Sequence, residues 1–122
     1  MMNETDPEQS KIAYPGLVER VLEAGGAAVK GVLLFGSAAR GEADQADLDL
    51  GIVYEGRAFE LDGGQLDLFF WSRKRWESGF ALQLELARDA LILYDPDGIL
   101  LARLEDLRKN ILPHWQIHLR RI

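Results

Sequence analysis

The sequence contains no cysteine. This absence excludes disulfide bonds and thiolate metal sites, and a chain of 122 residues can form one domain around a hydrophobic core without them. Long hydrophobic runs are also missing, because segments such as VLLF and LFFW fall far short of the roughly 20 residues that cross a bilayer. The start, MMNETDPEQS, is polar and acidic, unlike a signal peptide. We therefore expect a cytoplasmic protein without membrane contact, with a flexible tail over residues 1–12 and a single domain over residues 13–122.

The chain also lacks an excess of positive charge. Its net charge is -6 and its pI is near 4.9, whereas binding of duplex nucleic acid depends on basic residues that neutralise phosphates. Duplex nucleic acid is therefore not expected as a partner. Basic residues do cluster at 72–75 and between positions 103 and 121, a pattern typical of solvent-exposed helix faces.

Helical patterns occur at both ends of the chain and in its second half. The first predicted helix has Pro15 in its first turn and ends at Gly25. Ser72 predicts the N-cap of a second helix. The segment ALQLELA (81–87) alternates as a strand would but consists of strong helix formers, which favours a helix. Pro113 is expected to break or kink the last helix.

Between the helices lie apolar runs that have strand character. The predicted strands are GVLLF (31–35), DLDLGIVY (47–54), QLDLFFW (65–71) and DALILYDP (89–96). Alternation in the second and third runs places the apolar side chains on one face and the aspartates on the other. Together with the helices, these strands predict an α/β (α+β) fold.

Three aspartates on two of these strands form the main chemical signal. Asp47 and Asp49 share a strand face, about 6.6 Å apart, and Asp67 joins that face if its strand pairs alongside. Three carboxylates this close repel one another, and bound divalent cations relieve the repulsion. Carboxylate oxygens suit Mg²⁺, and a pair of ions about 3.5–4 Å apart promotes displacement at phosphorus. A lone Asp-x-Asp is typical of a surface strand or turn. The prediction of a metal site therefore rests on the combination of this pair with Asp67 and with the Gly-Ser turn that precedes it.

A Gly-Ser turn precedes the acid pair and complements it. A strand that runs into Gly36-Ser37 and a short helix leaves free backbone N–H groups, which bind phosphate oxygens. Gly36 lets a phosphate approach the backbone, and the Ser37 hydroxyl can donate a hydrogen bond. Arg40 can add a charge-assisted contact. The segment therefore predicts a phosphate cradle followed by a metal-binding acid pair.

The stretch LFGSAARGEADQADLDLGIV resembles the signature of the DNA polymerase beta-like nucleotidyltransferases in their minimal, stand-alone form. Gly36, Ser37, Asp47 and Asp49 match the signature at the shortest spacing, and Asp67 matches the third carboxylate by its place on a following strand. The resemblance implies a mixed β-sheet of four or so strands with helices packed on one side.

The resemblance also implies a reaction. Two Mg²⁺ ions, or Mn²⁺, would be held by the three aspartates, with Asp67 on the catalytic ion and close to the attacking hydroxyl. A nucleoside triphosphate, expected to be ATP, would be held by Gly36, Ser37 and Arg40 while AMP passes to a hydroxyl of a partner protein. Minimal members are often the antitoxin of a module whose toxin is a HEPN ribonuclease, so a HEPN-type partner is expected, and homo-oligomer formation stays open.

Two departures from the family pattern lie in the cradle. Ala46 stands where relatives usually carry serine, and the loop before Asp47 is one residue shorter than the commonest form. Neither removes a ligand. Two hypotheses therefore remain: an active metal-dependent nucleotidyltransferase, or a binding module of the same fold that neutralises a partner by occlusion with little turnover. The three adjacent carboxylates favour the enzyme, since a pure binder has no need of them.

Overall fold

The computed structural model describes residues 7–36, 49–64 and 66–114. Its elements in chain order are α1 (Pro7–Gly25), a 3₁₀ turn (Gly26–Ala28), β1 (Val29–Phe35), β2 (Asp49–Tyr54), β3 (Asp67–Ser72), α2 (Arg73–Ser78), α3 (Leu82–Asp89), β4 (Leu91–Tyr94), α4 (Ile99–Asp106) and a π-helical turn (Leu107–Ile111). The four predicted strands and the helix at ALQLELA are confirmed. No helix in these ranges is both long and apolar enough to cross a membrane.

The four strands form one mixed sheet in the order β3-β2-β1-β4. β1 runs antiparallel to both β2 and β4, and β2 runs parallel to β3. The expected mixed sheet is therefore confirmed. β1 is a central strand, and all of its residues except Lys30 are buried.

Helices cover both faces of the sheet. On one face, Leu33 and Phe35 of β1 pack in a core with residues of α2, α3 and α4, among them Trp76, Leu86 and Leu100. On the other face, the core cluster consists of Val21 of α1 with apolar residues of β1 and β2, namely Val29, Val32, Leu34, Leu50 and Ile52. The expectation that all helices lie on one side was wrong. β1 carries consecutive apolar residues, so each of its faces needs a cover that excludes water.

α1 differs from its predicted form at its start. It begins at Pro7 and continues through Pro15, which was expected in the first turn. The helix includes residues 7–12 of the predicted tail, while residues 1–6 lie outside the described ranges, and the division into tail and domain stays a prediction. A proline inside a helix removes one backbone hydrogen bond. Packing of Val21 and Leu22 against the sheet holds the turns that follow.

A buried glutamine joins the helices of the second half. The Gln83 side chain donates from Nε2 to the Trp76 carbonyl at 2.8 Å and accepts from Arg103 Nε at 3.0 Å. These bonds connect α2, α3 and α4 and satisfy a polar group that would be costly to bury unpaired. The helical path continues through residue 114, with a π-helical turn shortly before Pro113, so of the two expectations for this proline the break is wrong and the kink stays a prediction.

Candidate functional site

The candidate site lies at the edge of the sheet where β1 ends and where β2 and β3 begin. Phe35 pairs with Asp49 across β1 and β2, and Asp49 pairs with Asp67 across β2 and β3. Residues in register on neighbouring strands project from the same face, and the strands are about 4.8 Å apart. The parallel pairing therefore places the two carboxylates side by side, as the sequence predicted. Asp49 is half-buried and Asp67 is exposed.

Gly36 completes this edge on the β1 side. Its φ is +82°, a conformation that other residues rarely adopt. A Cβ atom at this position would lie 2.2 Å from Oδ2 of Asp49. The carboxylate therefore occupies space that any larger residue would fill. The sequence predicted that Gly36 admits a phosphate, and the structure adds that Gly36 admits the Asp49 carboxylate.

Half of the predicted site falls within the described residues. Gly36, Asp49 and Asp67 are brought together by the strand pairing. Ser37, Arg40 and Asp47 lie outside the described residues, and their roles stay predictions. Within residues 7–36, 49–64 and 66–114, no group of three metal-ligand side chains comes together. The described part of the acid cluster is thus the Asp49–Asp67 pair.

Asp49 and Asp67 suit a divalent cation that prefers oxygen ligands. Both side chains offer carboxylate oxygens, the ligands that Mg²⁺ prefers. Their two negative charges lie on neighbouring strands at the exposed edge, where a bound cation would lower their mutual repulsion. The absence of a side chain at Gly36 leaves the Asp49 carboxylate in place beside the end of β1. This geometry is compatible with metal binding by both aspartates, which stays a prediction.

Aromatic rings form a wall beside the two carboxylates. Phe69 shares the face of Asp67, and 37% of its surface is exposed. Its ring lies edge-on to that of Phe35, with the centroids 5.1 Å apart, and it stacks on Trp71 at 6.1 Å. Trp71 in turn packs against Phe80 at 5.0 Å. Trp71 therefore belongs to the periphery of the core.

Sequence reasoning did not assign a role to Phe69. The signal was present, because alternation along QLDLFFW places Phe69 on the same face as Asp67. What the pattern could not show is that β3 is an edge strand of the sheet. That position leaves the Phe69 ring open to solvent near the carboxylates.

The basic cluster after β3 is partly occupied by local contacts. Arg73 forms ion pairs with Glu77 at 2.8 Å and Glu55 at 3.3 Å. The hydrogen bond to Glu77 and the nearby Glu55 carboxylate raise the pKa of Arg73 above its ordinary value, so it stays charged. Arg75 lies over the Phe80 ring at 5.1 Å. Lys74 is exposed and forms no ion pair with the residues described.

Comparison with known proteins adds a family. Residues 15–114 match the family model described as "Nucleotidyltransferase domain". No curated protein matches the chain. One similar solved structure, "Crystal structure of the toxin-antitoxin with AMP-PNP", shares 13% identity, with 86% of this chain and 94% of that chain covered and a TM-score of 0.49. The family assignment rests on the family model.

Proposed function

Because the chain belongs to the nucleotidyltransferase-domain family, we propose that it transfers a nucleoside monophosphate from a nucleoside triphosphate to a hydroxyl group. The observation that carries this proposal is the register of Asp49 and Asp67, with Gly36 packed against the Asp49 carboxylate. Two like charges on neighbouring strands, beside a glycine whose added Cβ would meet the Asp49 carboxylate, suit a site for cations and phosphates.

In the proposed reaction the acceptor oxygen forms a bond to the α-phosphorus. The bond from that phosphorus to the oxygen that bridges to the β-phosphorus breaks, and pyrophosphate leaves with the electron pair. Asp67 accepts the hydroxyl proton, directly or through a water. Asp49 and Asp67, with Asp47, would hold Mg²⁺, which neutralises phosphate charge when bound. Catalysis then consists mainly of positioning and electrostatic stabilisation.

The strand order supports a proposal for the side on which each of the two substrates binds. Attacking and leaving oxygens lie roughly in line across the phosphorus in phosphoryl transfer. Gly36, the proposed start of the triphosphate cradle, is on the β1 side of Asp49, and Asp67 is on the β3 side. We therefore propose that the pyrophosphate leaves towards β1 and that the acceptor hydroxyl approaches from the β3 side.

We propose ATP as the donor and a hydroxyl of a partner protein as the acceptor. The support is the resemblance of the sequence to minimal nucleotidyltransferases, which often act as antitoxins of HEPN toxins. The family model spans residues 15–114, and the acceptor protein is proposed to dock on this domain.

The first experiment tests metal and nucleotide together. ATP with Mg²⁺ is expected to raise the melting temperature through binding to the folded state, and ATP with chelator to raise it much less. Asp67→Asn and Asp49→Asn should each abolish most of the Mg²⁺-dependent rise in melting temperature. Glu105→Gln, a change at an exposed acid on α4, is the matched control and should behave as wild type.

The second experiment measures turnover. Label from [α-³²P]ATP should pass to the protein encoded next to this one, with release of pyrophosphate, and each aspartate variant should reduce the rate by orders of magnitude. If ATP shifts the melting temperature equally with and without metal and no label is transferred, the hypothesis of an active nucleotidyltransferase is rejected. Neutralisation of the partner by the wild type and both variants alike would then identify a module that acts by occlusion.

A further inference from the structure

We infer that the outer edge of β3 is the docking site for an extended segment of the acceptor protein, and that this segment carries the hydroxyl that receives the nucleotide. The inference rests on the proposed function. It adds the surface that recognises the acceptor and the sequence pattern that this surface selects.

The first observation is the character of the edge. Within the described residues, β3 pairs with β2 alone, so one row of its backbone N–H and C=O groups points away from the sheet. Edge strands usually carry charges or proline that prevent further pairing, but the interior of β3 is LFFW. Phe69 and Phe70 project from opposite faces and are 37% and 36% exposed. An added strand would cover both rings and pair with the free backbone groups.

The second observation is continuity with the candidate site. β3 begins at Asp67, so its edge starts at the carboxylate that faces the acceptor. A residue paired directly opposite Asp67 would share its face, with the two Cβ atoms about 4.5–5.5 Å apart. Serine, threonine or tyrosine at this position would reach the carboxylate on the β3 side, where in-line attack places the nucleophile.

The third observation is the charge at the two ends of the edge. Asp67 is at the start, and Lys74, in the first turn of α2, is just past the end. Arg73 is held by Glu55 and Glu77, whereas Lys74 is exposed and forms no ion pair within the described part of the chain. An acidic residue of the acceptor would complement Lys74.

These features define a pattern in the acceptor. Antiparallel pairing is the more stable arrangement, so the acceptor segment is taken to run opposite to β3. With the hydroxyl residue opposite Asp67, the residues two and three positions before it face Phe69 and Phe70 and should be apolar. The part of the segment that precedes these residues would pass the start of α2, and a residue there, near Lys74, should be acidic.

The test uses the full-length protein with MgATP and synthetic peptides that carry this pattern. A peptide with the acidic, apolar and hydroxyl positions in place should be modified with kcat/KM at least tenfold higher than a scrambled peptide. Phe70→Ser should raise KM for the peptide about tenfold, with MgATP affinity unchanged, because Phe70 lies on the face away from the carboxylates. Leu101→Ser, at a 44% exposed leucine on α4, is the matched control and should leave KM unchanged.

A charge exchange addresses the far end of the edge. Lys74→Glu should raise KM for the acidic peptide, and replacement of the peptide's acid by lysine should restore it. Phe70→Ser also removes the contact of Phe70 with Phe59, whose ring centroid is 5.4 Å away, and this loss could disturb folding. Lys74 is exposed, so Lys74→Glu tests the docking edge without that side effect.

The outcomes separate the two proposals. If the wild-type protein does not bind MgATP, the proposed function itself is rejected. A second outcome rejects only the docking edge. In it, the protein binds MgATP and modifies the partner protein, but it shows no preference for the peptide pattern, and neither Phe70→Ser nor Lys74→Glu changes KM. A dimer in light scattering that Phe70→Ser dissociates would instead show that a second copy of the chain covers β3, and would also overturn the inference.

Discussion

β1 and β3 lie on either side of β2 and have similar apolar sequences, VLLF and LFFW, yet their environments differ. Val32, Leu33 and Leu34 of β1 are 0% exposed, whereas Phe69 and Phe70 of β3 are 37% and 36% exposed. β1 has a hydrogen-bonded neighbour on each side and a core cluster on each face. Similar apolar runs therefore serve different purposes: one forms the core and the other remains available at the surface.

The contrast extends to the site. β1 is followed by Gly36, which lies beside the Asp49 carboxylate, and β3 begins at Asp67, which is exposed. The phosphate side of the proposed reaction thus belongs to the buried strand and the acceptor side to the open one. A buried strand on the side of one substrate and an accessible edge on the side of the other are consistent with the proposed transfer to a protein.

The largest expected effect comes from removal of a side chain in β1. Leu33→Ala should lower the free energy of unfolding by about 2–5 kcal/mol, because it leaves a cavity in a fully buried cluster. Phe70→Ala should lower it by only about 1–2 kcal/mol, since that ring is partly exposed and buries less than the full side chain. Urea unfolding of both variants measures the difference. Equal losses would contradict the distinction between the two strands.

The next effect concerns the end of β1. Gly36→Ala should reduce nucleotide transfer by about 10–150-fold, corresponding to about 1.5–3 kcal/mol for one lost contact to a charged group, because the new Cβ would displace the Asp49 carboxylate. Gly56→Ala is the matched control. Its φ is +90° and a Cβ there would meet no atom within 4 Å. Both variants should lose similar stability, and only Gly36→Ala should lose activity; a comparable loss in Gly56→Ala would remove Gly36 from the site.

The contact between the two flanking strands can be tested at Gly51 of β2. A Cβ there would lie 2.5 Å from Cζ3 of Trp71 on β3 and 2.9 Å from Cδ1 of Leu33 on β1. Gly51→Ala should therefore lower the free energy of unfolding by about 1–3 kcal/mol through overpacking. Gly16→Ala, in α1 with open space around it, should instead be neutral or raise stability by up to about 1 kcal/mol. Thermal melts of the pair would show whether the two signs differ.

The smallest effect is expected at the end of β3. The Ser72 side chain accepts a hydrogen bond from the Arg75 backbone N–H at 3.1 Å and caps α2. Ser72→Ala should lower the free energy of unfolding by about 0.5–2 kcal/mol. Ser78→Ala removes a hydroxyl that donates to the Arg75 carbonyl at the other end of α2 and serves as the control. A larger loss from the control would argue against the cap as the feature that ends β3.

Much of the fold could be predicted from local patterns. The four strands, the N-cap at Ser72 and the helix at ALQLELA follow from alternation, capping chemistry and helix propensity. The start of α1 could not be predicted, because the helix continues through Pro15 despite the lost hydrogen bond. Coverage of both sheet faces was also missed, although the consecutive apolar residues of β1 already indicated it.

The sequence alone determined the elements of the candidate site: a strand that ends in glycine, an aspartate that opens the next strand, and a further aspartate on the strand after that. These depend on residue type and on spacing along one chain. Only the tertiary structure decided that Asp49 and Asp67 stand in register, that the Asp49 carboxylate occupies the space beside Gly36, and that β3 is an edge strand while β1 is central. The reason is that strand order and register arise from contacts between residues far apart in the chain, which no local pattern encodes.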